Sequence, residues 1–306
     1  VIVVKQKLLD YTSININTRY PNWSASTTYE FGDIVFHDHY YFRSVVDNNV
    51  GDTPYEYNPK WLLWSISNRY AQIDLHAGTS TVWDSTTATN PAHGGLVTSF
   101  PSDGISFIGM GRVHSSKVSI TLKDSSGNTV TIKTKTTYPR PKSNTWWNYY
   151  FDTFAQKGKI ESFFFDLPSV VGGTIEVKAF ADSTSSAKVG FMICGERTWV
   201  GDTLFGVSTG IDDNSIWNTD DFGIITVKER DASESLDLDV QYPSIETNRI
   251  KIAVRNLVGK IVLFIGDEQV DSKYDHLMLL GKVDSFTPVI ANPIMTKASF
   301  SVSEIL

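Results

Sequence analysis

From Lys117 the chain reads KVSITLKDSSGNTVTIKTK: Val118, Ile120 and Leu122 alternate with polar residues, the run breaks at Asp124-Ser-Ser-Gly127-Asn128, and alternation resumes through Val130 and Ile132. A period of two around a glycine-containing break predicts a β-hairpin with one face in water. Short segments rich in Val, Ile, Thr, Phe and Tyr, separated by Gly, Asn, Asp and Ser, continue along most of the chain and predict a mainly β fold. KIESFFFDLPS, GGTIEVKAFAD and AKVGFMICGE supply three more strands, punctuated at Gly172 and Gly173, so residues 67–197 read as a two-sheet sandwich of jelly-roll type. One segment has a helical period instead. In PSIETNRIKIAVRNLVGK, Ile250, Ala253, Val254 and Leu257 recur three or four apart, with Ser244 placed to cap the first turn and Gly259 to follow the last. A helix over 245–258 is predicted. The strand candidates IVLFIGDE, HLMLLGKVDSF and KASFSVSEIL follow it, which makes residues 198–306 a separate β-rich domain with one helix.

Between Trp23 and Trp64 the pattern changes. Three of the eight tryptophans fall there, together with Tyr29, Tyr40, Tyr41, Tyr55 and Tyr57. A three-stranded domain over 23–66 has too little aliphatic surface to bury, and large rings must supply the area at about 25 cal/mol per Å². Trp23, Tyr29, Tyr41 and Trp61 are assigned to that core. Recognition of a sugar would need other rings, exposed so that the apolar face of a pyranose can lie on them. Residues 1–22, opening VIVVKQKLLDY, read as an N-terminal arm whose β-branched run can add a strand to a neighbour's sheet edge.

Composition narrows the function classes. The 306 residues carry a net charge of -7, and Lys and Arg are nowhere clustered, which argues against nucleic acid as a partner. No run approaches the roughly 20 apolar residues of a membrane span, and the first residues resemble neither a signal peptide nor an anchor. The single cysteine, Cys194, lies in the apolar run KVGFMICGE and reads as a buried free thiol.

Each candidate for chemistry has a plainer reading. His37 and His39, flanking Asp38, would share a face on a strand and begin a metal site; a solvated strand face or turn explains them as well. Asp212, Asp213, Asp220 and Asp221 have oxygens for a calcium ion but not the spacing of a known loop, and turn-capping aspartates suffice. Asp237 and Asp239 share a strand face, as alternating residues of any half-buried strand do. The motifs HExxH and GxxxxGK[ST] are absent from the sequence. No catalytic residue, cofactor or metal is expected.

The order Trp23, Tyr29, Gly32, Asp33, Val35, Tyr41, Asn49, Gly51, Pro54 and Trp61 resembles the small chitin-binding modules of carbohydrate-binding families 5 and 12. Where those modules carry a stacking ring after the glycine, this chain has Asp52. That leaves Tyr55 and Tyr57 on the same loop as sugar-contacting substitutes, and Trp146, Trp147 and Tyr149 of NTWWNYYF as candidates on the sandwich, equally readable as core or interface. The string Ser67-Asn68-Arg69-Tyr70-Ala71-Gln72-Ile73-Asp74 is similar to a junction found in bacteriophage tail proteins between such a module and a sandwich. LFGVSTGIDDNSIWNTDDFGIITVKER is similar to the C-terminal domain of the same proteins at Phe205, Gly206, Val207, Asp212, Ser215, Asp221, Phe222, Gly223 and Arg230. The resemblance implies a structural virion protein of a phage tail, in the baseplate or tail-tip region, made in the bacterial cytoplasm. It implies assembly with other tail proteins as a homo-oligomer of three or six copies through Gly206, Asp212, Phe222, Gly223 and Arg230, and contact with host-surface polysaccharide. Two other readings stay open: a glycan-binding receptor-recognition component or adhesin, and a secreted polysaccharide-degrading enzyme with an accessory module.

Overall fold

Among the described residues the strands run from two residues to thirteen, and their apolar side chains face four cores. The computed structural model describes all residues except 8–12, 76–78, 85, 90–93, 138–161, 182–185, 220–221, 224, 231, 268–276, 291–292 and 306. It is mainly β, with one α-helix among the described residues. No helix there is long and apolar enough to cross a membrane.

The outer sheet runs in the order Thr129–Thr136, Lys117–Lys123, Thr174–Phe180, Gly95–Pro101, Ser13–Ile14, all antiparallel. Its apolar face carries Leu96, Phe100, Val118, Ile120, Leu122, Ile175 and Val177. These pack on Ile108, Met110, Phe163, Phe165, Met192 and Cys194 of an inner sheet ordered Phe163–Asp166, Phe107–Gly111, Phe191–Gly195, so the two sheets form a β-sandwich. Alternation explains the one-sided outer strands, and also why the hairpin at 117–136 has a wet side. Its second strand is a sheet edge, and Val130 and Ile132 are left exposed after a register shift between Thr129 and Thr131.

The inner sheet is buried on both faces, which is why FIGMG and FMICG are continuous apolar runs rather than alternating ones. Burial pushes the Cys194 thiol far above its ordinary pKa. The reverse face of the inner sheet, with Phe107, Phe164, Phe191 and Ile193, meets Ile2, Val4, Leu263, Ile265 and Leu280. Gly109 lies on that face, and a Cβ there would overlap the Leu263 side chain, so the close approach of the two sheets needs a glycine.

Those last residues belong to a C-terminal sheet ordered Arg197–Trp199, Ile2–Lys5, Val262–Ile265, Met278–Ile290, Met295–Glu304, Ser233–Pro243, Asp202–Thr203, with Ser208–Asp212 also paired to Ser233–Pro243. Its far side is covered by the helix, Thr247–Arg255, through Ile250, Val254 and the following Leu257. The molecule is thus built in layers: outer sheet, inner sheet, C-terminal sheet, helix. The helix differs in detail from its prediction. Ser244 begins a 3-10 turn, Ser244–Glu246, and its hydroxyl bonds the Thr296 hydroxyl at 2.9 Å instead of capping the helix. Gly259 does take the left-handed conformation (φ 75°) beyond the helix end.

The N-terminal residues correct the expectation of a free arm. Ile2–Lys5 is an interior strand, paired with Arg197–Trp199 on one side and Val262–Ile265 on the other. Val1 and Val3 face the helix-side core, while Ile2 and Val4 face the inner sheet. Farther along, Ser13–Ile14 is the edge strand of the outer sheet. The β-branched run does complete a sheet, but the sheet is its own chain's.

Candidate functional site

Two surfaces that expose large apolar side chains hold the candidate residues: the small aromatic module, and a β-ribbon extending from the C-terminal sheet.

The module is three antiparallel strands, Ile34–His37, Tyr40–Ser44 and Trp61–Ile66. The first two are joined by Asp38 and His39, both with positive φ (42° and 77°), as a two-residue hairpin turn demands. Its inner face packs Tyr29, Val35, Phe42 and Trp61, with half-buried Trp23 against them. Tyr29 and Trp61 meet edge to face at 5.4 Å, and Trp61 Nε1 donates to the Asp52 carbonyl at 2.9 Å. With so few residues in this core, Trp61→Ala should remove about 3 to 5 kcal/mol and melt the module ahead of the rest. Hydrogen exchange would show this as lost protection confined to residues 23–66; unchanged protection there would contradict it.

Tyr41 is buried on the opposite face of the module. It packs edge-on to Tyr20 at 5.0 Å and Phe36 at 6.0 Å, and its hydroxyl accepts the Arg19 N–H at 2.9 Å. This ring fastens the module to the segment before it. The junction string does the same on the other side: Tyr70 stacks on Phe36 at 6.1 Å, the Asn68 amide bonds the Val82 backbone in both directions, and Gln72 is buried with its amide donating to Thr98 Oγ1 at 2.8 Å.

The open end of that second face carries a cluster not anticipated from the sequence. The Arg43 guanidinium lies 5.5 Å from the Phe31 ring centroid and 5.4 Å from that of Trp64. Both rings are exposed, at 61% and 50%, and Leu62, the cross-strand partner of Arg43, is exposed beside them. Local backbone geometry holds each ring. Phe31 sits in a turn whose own N–H donates to Asp47 Oδ1 at 3.0 Å and whose Gly32 N–H donates to the Ser44 carbonyl at 2.9 Å. Trp64 is the extra residue at a bulge: Tyr41 pairs with Ser65 and Phe42 with Leu63, leaving Trp64 without an opposite number.

Tyr55 and Tyr57, the sugar-contacting candidates, are exposed on the loop after Asp52, Tyr57 at 83%. Asp52 is ion-paired with Lys60 at 2.6 Å. Trp146, Trp147 and Tyr149 lie outside the described residues, as do Asp220 and Asp221. His37 and His39 do not form a pair on a strand, because the strand ends at His37 and His39 is in the turn. Their rings meet different partners, Trp23 at 5.4 Å and Tyr70 at 4.0 Å. Asp213 caps a turn: the Ser215 hydroxyl first, then the Ser215 N–H, hold its carboxyl below the ordinary range. Asp237 and Asp239 are on the solvent face of their strand, and Ser299 Oγ donates to Asp239 at 2.6 Å. No group of three potential metal ligands converges among the described residues.

The ribbon comprises Ser208–Asp212, paired to Ser233–Asp237, and a hairpin of Ile216–Thr219 with Ile225–Lys228. It gathers the residues marked for assembly. Gly206 (φ 108°) leads into it, Asp212 ends its first strand, and Phe222 and Gly223 form the hairpin tip. The Arg230 N–H donates to Ser215 Oγ at 3.2 Å across the hairpin base. The apolar side chains here lie largely in water: Phe205 is 97% exposed and Phe222 90%, with Ile211, Trp217, Ile225 and Val227 exposed as well. Trp217 and Val227 are cross-strand partners, so their exposure is shared by a facing pair.

No family model, curated protein or solved structure matches the chain.

Proposed function

We propose that this chain is a structural subunit of a bacteriophage tail, at the baseplate or tail tip, which docks onto other tail subunits through residues 205–230 and carries the aromatic module toward the host surface. One observation supports this reading above the rest: a two-stranded ribbon bearing Phe205, Ile211, Trp217, Phe222 and Ile225 in water. An isolated hairpin is marginal by itself, and apolar patches of this kind mark contact surfaces. The resemblance to tail proteins falls on the same segment, at Phe205, Gly206, Asp212, Phe222, Gly223 and Arg230. In the particle the chain is one of three or six symmetric copies, since a closed ring satisfies such a surface on each of them. A role in receptor recognition is the second reading, favoured by the exposed rings around Arg43. The test of the first is incorporation: chains with serine at positions 217, 222 and 225 should fold and be left out of the particle, and their normal incorporation would refute it.

A further inference from the structure

We infer that the ribbon docks onto the outward face of the helix, Thr247–Arg255, in a second copy of this chain, so that copies join head to tail. The inference rests on the reading of residues 205–230 as the docking element, and it names what they dock onto.

The ribbon's hairpin is two-sided. Trp217 is the cross-strand partner of Val227, and Thr219 of Ile225, so Trp217, Ile225 and Val227 share one face while Asn218, Thr226 and Lys228 share the other. That is the pattern of a sheet covered on one side, yet all three apolar side chains stand in water. The helix repeats the situation. Ile250, Val254 and Leu257 pack on the C-terminal sheet, and on the opposite stripe Ile252 is exposed beside Lys251 and Arg255. Ile245 and Ile294 are exposed where the helix begins, the Ile294 carbonyl accepting the Ser244 N–H at 2.8 Å. Ribbon and helix face are both open in the single chain, so neither covers the other within it.

Charge pairs the two surfaces. The chain carries a net charge of -7, which sets copies against one another in general. The helix is the exception: between residues 244 and 260, Arg249, Lys251, Arg255 and Lys260 stand against Glu246, which is already bonded to Arg249. Among the described residues Lys251 and Arg255 have no ion-pair partner. Lys5 lies beside Lys260, and its charge holds that ammonium below the ordinary pKa, so an arriving carboxylate relieves a repulsion already present. The ribbon and its partner strand supply carboxylates, because exposed Asp212, Asp213, Glu229 and Glu234 outnumber Lys228 and Arg230. Ribbon against ribbon would set these carboxylates face to face, whereas on the helix they meet cations. Two different patches on each copy make a heterologous contact, and the rotation between copies decides whether it closes into a ring.

Sedimentation velocity of the purified full chain, at increasing concentration, tests the proposal with two variants: Trp217→Ser with Ile225→Ser on the ribbon, and Lys251→Glu with Arg255→Glu on the helix. The parent should associate. Each variant alone should associate about 100-fold more weakly, the scale of losing apolar anchors or of opposing like charges. An equal mixture should form a dimer that grows no further, because the ribbon of the helix variant meets the helix face of the ribbon variant and nothing else is intact. Circular dichroism confirms that the variants stay folded; should the charge reversal unfold the helix, Ile252→Ser, which keeps both charges, takes its place in the mixture. A parent that stays monomeric, a helix variant that associates like the parent, or a mixture that forms no dimer would overturn the proposal. These outcomes are read on the isolated chain and leave the tail reading to be judged by incorporation. A ribbon variant left out of particles while the parent is monomeric in solution would place the ribbon on a different subunit and overturn this inference alone. Head-to-tail association of a chain that enters no particle would support it and overturn the tail reading.

Discussion

Val4→Asp is expected to leave no folded chain. Val4 is fully buried at the contact between the C-terminal sheet and the inner sheet, among Ile193, Leu263 and Ile265. An unpaired carboxylate in such a place costs several kcal/mol, and the lost apolar burial adds about 1.5 to 3 kcal/mol. The sum is comparable with the entire stability of an ordinary domain, about 5 to 15 kcal/mol. The damage also spreads, because the strand Ile2–Lys5 holds Arg197–Trp199 on one side and Val262–Ile265 on the other. Removing residues 1–6 should have the same outcome, whereas Lys5→Asp, at an exposed position, should be tolerated. Thermal melts followed by circular dichroism check all three. A Val4→Asp chain melting within a few degrees of the parent would show that the strand is dispensable.

The second large effect concerns assembly and not stability. Trp217, Phe222 and Ile225 are exposed, so their combined replacement by serine should move the melting point little, as surface substitutions do. In the assembled particle the same side chains would be buried anchors. Aromatic anchors at interface centres are each worth about 2 kcal/mol or more, and losing two of them weakens a contact by roughly 10²- to 10³-fold. Chains per particle, counted by quantitative mass spectrometry of purified virions, should therefore fall to background while the purified variant keeps the parent's melting curve. An unstable variant would place these residues in the fold itself, and a stable variant that is still incorporated would place docking elsewhere.

How much of this was legible depended on the distance over which each feature is determined. The hairpin at 117–136, the helix carrying Ile250, Val254 and Leu257, and the burial of Cys194 follow from local periodicity, and the structure has them. The VIVV run at the start is equally regular, and a run without alternation indicates burial on both faces. What it does not name is the partner. Ile2 pairs with Trp199 and Ile265, far along the chain, and only the assembled layers bring them together. Of the rings assigned to the module's core by size, Tyr29 and Trp61 are buried in it, Trp23 is half-buried against it, and Tyr41 lies on the opposite face. The Phe31, Arg43 and Trp64 cluster could not be read in advance, because a bulge opposite Tyr41 and Phe42 and a turn bonded to Asp47 bring these residues together, and neither is a pattern in the sequence. The ribbon lies between these cases. Its assembly residues came from resemblance, but Trp217 was not singled out. Its signal was present in NSIWNTDDFG, an apolar ring set among turn residues with no apolar neighbours at strand spacing.

Locating the chain on the particle tests its proposed place in a phage tail most directly. Gold-labelled antibody against residues 23–66, applied to phage particles from cells making this chain and imaged by electron microscopy, should decorate the host-facing end of the tail. The label should appear there in three- or sixfold register. Particles that carry no label, or carry it on the head alone, would contradict the assignment.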